Sequence, residues 1–348
     1  MNNNKNLTTE EIFALAVQNH QKNNLKVAEN FYNEILKTNP NHFESIYYLG
    51  ILLAQTKRFD LAKTLFRKAI KIKNNKEIPF SLKNSKRNIL YIEAHNNLAN
   101  VLKELGEHQQ AISYYEKAIQ IQPNYADAHY NLGVVLQELG EHQQAISYYE
   151  KAIQIQPNYI KAHNNLGVIL KALGEHQKAI SSYKKAIQIE PDNLTSHWLS
   201  MNIFPVIYKN LKEIDHYRKR FENGIKKINQ LLDTESQYTK KQLINAINSS
   251  TNFFLHYQGR DVLELQQQYA HLIERITQKI YQEFHKERKK NISSQYMKIG
   301  FVSSFFWDHT VSKLFKNWAL KLDQKYFKRF VYYGDNKFDH ITNEIKQH

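Results

Sequence analysis

The side chains best suited to chemistry recur at a fixed spacing of 34 residues. His95, His129 and His163 form one series, and His108, His142 and His176 form a second. Asn97, Asn131 and Asn165 form a third, with Asn96, Tyr130 and Asn164 beside them. Histidines in series invite a metal reading, because neutral imidazole is a common ligand. Equivalent atoms on neighbouring helical repeats, however, lie about 10 Å apart, and a zinc–nitrogen bond needs about 2 Å. No metal site is expected. The asparagine row offers more. A side-chain amide both donates and accepts, so a regular row can hold the backbone of an extended peptide without reading its sequence. The plainer account is that Asn is a tolerated polar residue, copied when the unit was duplicated.

Such rows need a scaffold that repeats with them. Aligning Ala94, Ala128 and Ala162 brings the following residues into register, and Glu104–Tyr125 (ELGEHQQAISYYEKAIQIQPNY) recurs unchanged at Glu138–Tyr159. The period and content resemble the helix–turn–helix of the tetratricopeptide family, with units at 92–125, 126–159 and 160–193. Leu98, Leu132 and Leu166 are expected between the two helices of a unit, with the small residues Ala99, Gly133 and Gly167 permitting close approach. Ala111, Ala145 and Ala179 do the same on the second helix, beside Tyr115, Tyr149 and Tyr183. Pro123, Pro157 and Pro191 stop each second helix. Two weaker units occupy 9–76: Leu15, Ala16, Ala28, Tyr32 and Pro40 match in the first, and Leu49, Gly50, Ala62, Phe66 and Ala69 in the second. The insert 77–91 (EIPFSLKNSKRNILY) reads as a loop or extra turn on the edge of the stack. First helices of a solenoid line its concave side, so Asn97, Asn131 and Asn165, with Asn96, Tyr130 and Asn164, are the candidate peptide-binding residues. The weaker units place Ala14 and Tyr48 at that position.

Composition narrows the classes. The chain has 348 residues, 42% hydrophobic and 12% aromatic, which is ample for packed cores and argues against wholesale disorder. It has no Cys, excluding a disulfide framework, a thiolate metal site and a cysteine nucleophile. No leader or membrane-spanning segment is apparent, so a cytoplasmic protein is expected. The basic excess is concentrated late: residues 1–195 hold 23 Lys and Arg against 18 Asp and Glu, and residues 196–348 hold 25 against 15. Its one dense run, HKERKKN at 285–291, contains a Glu and no interleaved aromatic, so it reads as a solvated helix end rather than a nucleic-acid surface.

After Pro191 the period is expected to end. Residues 194–290 then supply capping and linking helices: one at 211–232, and two more near 241–257 and 261–287, broken at Gly259. The pattern next changes class. Lys298–Ser303 reads as a buried strand, Thr310–Leu322 as an amphipathic helix and Arg329–Tyr333 as a second strand, together a βαβ unit without a dinucleotide glycine fingerprint. The expected fold is therefore mostly α: a tetratricopeptide superhelix, linking helices, and the incomplete start of a Rossmann-like lobe over 296–348.

Three stretches in this part, NFFLHYQGRDVLELQ at 252–266, IGFVSSFFWDHTVSKLF at 299–315 and YFKRFVYYG at 326–334, resemble the bacterial SPINDLY-type relatives of the O-linked N-acetylglucosamine transferases. That family joins a sugar from a nucleotide-sugar donor to Ser or Thr of proteins, using two Rossmann-like lobes behind its repeats. The resemblance implies that His309, following Gly300, Phe301, Val302 and Ser303, lies on the acceptor side of the cleft. A doubly wound lobe needs about five or six strands, and only two are legible here. The resemblance therefore implies the front part of a truncated or split transferase, inactive alone. It has no cofactor of its own, and the donor (UDP-GlcNAc type) would be held by a missing lobe. The alternative is a non-catalytic scaffold that binds client proteins.

Overall fold

The computed structural model of the chain describes residues 7–74, 86–234, 238–281, 297–303, 327–333 and 343. The chain divides into two units, Met1–Ile280 and Tyr281–His348. In the first, helices pair in sequence: α1 (Thr9–Gln21) with α2 (Leu25–Thr38), α3 (Phe43–Gln55) with α4 (Phe59–Asn74), and α5 (Lys86–Glu104) with α6 (His108–Ile121). The series continues with α7 (Ala126–Glu138) and α8 (His142–Ile155), then α9 (Ile160–Ala172) and α10 (His176–Ile189). Each second helix packs against the first helix of its own unit and that of the next, and successive first helices also touch one another. The first-helix side is thus the closer-packed side of the stack.

The interlock follows from residue size. A Cβ on Gly133 would lie 2.8 Å from the ring of Tyr149, one on Gly167 2.5 Å from Tyr183, and one on Gly50 2.9 Å from Phe66. Glycine therefore lets the second-helix ring lie against the first-helix backbone. Tyr115, Tyr149 and Tyr183 are fully buried there, and each such ring contributes about 1.5–3 kcal/mol. Between the helices of each strong unit the chain turns through the left-handed region at Gly106, Gly140 and Gly174, with φ of 76°, 80° and 78°. The weaker units make the same turn with Asn23 and Lys57, at φ of 60° and 59°.

Three sequence expectations are corrected. The end of the insert is helical, because α5 begins at Lys86 and carries Ile92 and Ala94 into the core on the same run; residues 75–85 lie outside the described ones. The sequence period ends at Pro191, but the stacking of helix pairs runs on beyond it. Helix α11 (Leu194–Met201) takes the next first-helix place, packing on α10, and α12 (Leu211–Asp233) follows as its partner. Gly224 approaches Met201 so closely that a Cβ would sit 2.3 Å from the methionine Cβ. Finally, the helix expected over 241–257 is shorter: α13 (Lys240–Ser249) stops at extended Ser250, and Phe253–Gln258 form a separate 3-10 turn. The run Ser249-Ser250-Thr251-Asn252 favours side-chain bonds to backbone over helix propagation. Helix α14 (Leu263–Ile280) then packs on α12 and α13, and Trp198 of α11 is fully buried, donating to the Ser250 carbonyl at 2.9 Å.

In the second unit, β1 (Met297–Ser303) and β2 (Phe327–Tyr333) pair in parallel, from Met297 opposite Phe327 to Ser303 opposite Tyr333. The expected intervening helix, Thr310–Leu322, lies outside the described residues.

Candidate protein-interaction site

Along the first-helix side the asparagines are tied sideways from unit to unit. Asn97 Nδ2 donates to the Tyr47 hydroxyl at 3.1 Å, Asn131 to Asn96 Oδ1 at 3.1 Å, and Asn165 to the Tyr130 hydroxyl at 3.2 Å. The acceptor is in each case the residue just before the matching position of the preceding unit. Asn165 also donates to Tyr149 at 3.3 Å. Asn97, Asn131 and Asn165 are half-buried, and their carbonyl oxygens have no partner among the described residues. Asn96 and Asn164 are buried and serve the stack, Asn164 donating to Ser196 Oγ at 2.9 Å. Tyr130 is half-buried and packs against Tyr159, ring centroids 5.0 Å apart. His309 lies outside the described residues.

Several residues of this face were not singled out in the sequence. Tyr47 donates to Glu93 at 2.7 Å and Tyr159 to Asp127 at 2.5 Å, so tyrosine–carboxylate pairs brace two places along the stack. Burial, reinforced by the adjacent carboxylate, pushes the Tyr47 and Tyr159 hydroxyls well above the ordinary tyrosine range, and they remain proton donors. Tyr125 and Tyr159 share the period of 34, and Tyr47 stands at the position of Tyr130 in its own unit; these were the available signals. A cavity of about 540 Å³ opens between α3, α4 and α5, with Phe59, Phe66 and Val101 on its walls and Asn97 and Asn100 among its polar groups.

The histidines have a mechanical role. His129 Nε2 donates to the Pro123 carbonyl at 2.9 Å and His163 to that of Pro157 at 3.0 Å. His197 does the same to Pro191 at 2.9 Å, one period on. Each ties a first helix to the loop that precedes it. Burial lowers the pKa of His129 and His197, which favours the neutral ring. Among the described residues no three His, Asp or Glu side chains stand close enough to hold a metal ion.

The tetratricopeptide repeat model matches residues 43–76, 90–158 and 124–191. These segments are tetratricopeptide repeats. No curated protein sequence matches the chain. Among solved structures, the stack of tetratricopeptide units is similar to pilF of Pseudomonas aeruginosa, at 18% identity and a TM-score of 0.51 over 64% of this chain and 91% of that one. That likeness is one of fold. Two further similar structures are MamA (28% identity, TM-score 0.43, 51% of this chain and 94% of that one) and YrrB (22%, 0.42, 54% and 90%). YrrB is described as a tetratricopeptide protein with an unusual peptide-binding site. Among the described residues no helix is long and apolar enough to cross a membrane.

Proposed function

We propose that the first-helix face of the tetratricopeptide stack binds an extended segment of a client protein, and that the chain is a protein-interaction scaffold. The observation that carries this reading is the sideways anchoring of Asn97, Asn131 and Asn165. An amide already fixed by one N–H loses little further freedom when its carbonyl accepts from a passing backbone. Each such bond contributes about 0.5–1.5 kcal/mol. The test is selection of binders from a displayed library of random dodecamer peptides, followed by titration against the triple variant Asn97→Ala, Asn131→Ala, Asn165→Ala. Affinity is expected to fall at least tenfold while far-UV circular dichroism stays unchanged. Binding that is unaffected, or that falls only in step with lost helicity, assigns the row to stacking alone.

A second reading makes the chain the front part of a protein sugar transferase. It rests on the resemblance at 252–266, 299–315 and 326–334, and the parallel pairing of β1 with β2 supports it, since doubly wound lobes are built from such pairs. In that reading the stack recruits the substrate protein, His309 belongs to the acceptor side, and a UDP-GlcNAc-type donor is held by a lobe other than these residues. The purified chain is then expected to transfer no sugar from labelled UDP-GlcNAc. Measurable transfer would make it an enzyme in its own right.

A further inference from the structure

The near-identity of the repeats makes each departure from the pattern an internal control. In two strong units a tyrosine ring of the second helix lies against a histidine of the first. Tyr114 and His95 have ring centroids 5.8 Å apart, and Tyr148 and His129 5.9 Å apart. In the third strong unit the histidine is kept, as His163, and the tyrosine becomes Ser182. Among the described residues no ring packs on His163. The Ser182 hydroxyl donates to the Lys178 carbonyl at 3.1 Å, so its one donor is used within its own helix.

The exchange leaves a cavity of about 340 Å³ between α8 and α10, over α9. Ile153, His163 and Leu166 line it, with Glu150, Ser182 and Lys185 among its polar groups. That volume falls in the range of small-ligand sites. The preceding unit marks which end of it is polar. Burial, and after it the Glu116 carboxylate, raise the pKa of Tyr148, so the ring that fills this place there lies within the field of a carboxylate on α6. One period on, that carboxylate is Glu150, which accepts no hydrogen bond among the described residues. The bond from His163 Nε2 to the Pro157 carbonyl holds the imidazole in a fixed orientation. Asn165 follows His163 by two residues, about 200° around the helix, so the cavity and the asparagine row use different faces of α9.

We propose that this cavity is a second interaction site, between the second helices α8 and α10, and that it takes the side chain of a tyrosine carried by a protein partner. The occupant follows from what the neighbouring units place there. An incoming ring lies against His163 and Leu166 as Tyr148 lies against His129, and its hydroxyl donates to Glu150. A phenol combines the apolar body that the walls call for with the polar tip that the carboxylate calls for, and the bond to an ionised acceptor is of the stronger kind. Phenylalanine fills the same space but leaves Glu150 without a donor. The site does not depend on the peptide-binding reading of the first-helix face.

The test uses p-cresol, the tyrosine side chain detached from its backbone, titrated against the full chain by saturation-transfer NMR. Binding is expected on the unaltered chain and should weaken about tenfold on Ser182→Tyr, which supplies the ring from within as Tyr148 does. Ser182→Tyr should also raise Tm, because it fills the cavity with the ring that the preceding units carry. Glu150→Ala leaves the cavity open and should abolish the preference for p-cresol over its O-methyl ether, 4-methylanisole. The triple variant Asn97→Ala, Asn131→Ala, Asn165→Ala should bind p-cresol as the unaltered chain does, so this site and the first-helix reading fail separately. No binding of p-cresol, equal binding to the unaltered chain and to Ser182→Tyr, or a lower Tm for Ser182→Tyr overturns the site. A dimer of the unaltered chain that Ser182→Tyr dissociates, read by analytical ultracentrifugation, overturns the choice of occupant and assigns the cavity to a second copy.

Discussion

The weak repeats at 9–76 and the strong ones at 92–193 build the same helix pair from different residues. At the turn, Gly106, Gly140 and Gly174 are replaced by Asn23 and Lys57, yet the backbone keeps its positive φ. At the central ring, Tyr115, Tyr149 and Tyr183 correspond to Tyr32 and Phe66, all fully buried. The sideways asparagines and the histidine–proline ties, by contrast, belong to the later units, with Ala14 and Tyr48 at the asparagine position and Ile12 and Ile46 at the histidine one. Ring, small residue and turn conformation are therefore what the pair requires. The polar rows are additions, and additions at a surface are where binding is to be sought.

That division can be tested. The largest effect is expected at the ring. Tyr149→Ala should cost about 3–5 kcal/mol, measured by urea denaturation, since it empties a fully buried site against Gly133. Tyr149→Phe should cost only about 1 kcal/mol, by losing its bonds with Gln137 and Asn165. Phenylalanine is what the weak unit uses at Phe66, so a cost for Tyr149→Phe approaching that of Tyr149→Ala would place the polar network among the requirements. The smallest effect is a gain. Lys57 holds φ at 59°, where a side chain is strained by about 1–2 kcal/mol. Glycine relieves the strain but adds entropy to the unfolded chain. Lys57→Gly should therefore stabilise by about 0.5–1 kcal/mol, read from the same denaturation curves. No gain would mean that the turn is set by its neighbours rather than by its own residue.

Most of the stack was legible because its determinants are local and repeated. The 34-residue period located α5 to α10, and the small residues opposite aromatic ones indicated which faces meet. Two features escaped because their cause is tertiary. Helix α11 keeps only part of the pattern, although the spacing from Pro191 to His197 equals that from Pro123 to His129 and from Pro157 to His163. The break after Ser249 has a local contribution from the Ser249–Asn252 run, but the carbonyl it frees at Ser250 is taken by Trp198 from across the fold, a contact no local pattern announces. Of the site, the positions of Asn97, Asn131 and Asn165 were legible but their bonding was not. Partners one unit back, such as Tyr47, Asn96 and Tyr130, emerge only when the superposition of units in space is known.

Helices α6 and α8 have the same sequence, and each meets the first helix on either side through the same set of alanines and tyrosines. An array of this kind can change length by one whole unit without creating an unfamiliar junction. If Glu104–Gln137 were deleted, Lys103 would join Glu138 within an unchanged turn, and Asn165 would find Asn96 where Tyr130 had been, the pairing Asn131 now makes. Stack length is thus the property that the packing constrains least. The span of client that the face can hold is accordingly adjustable in discrete steps, with every surviving contact drawn from those already in use.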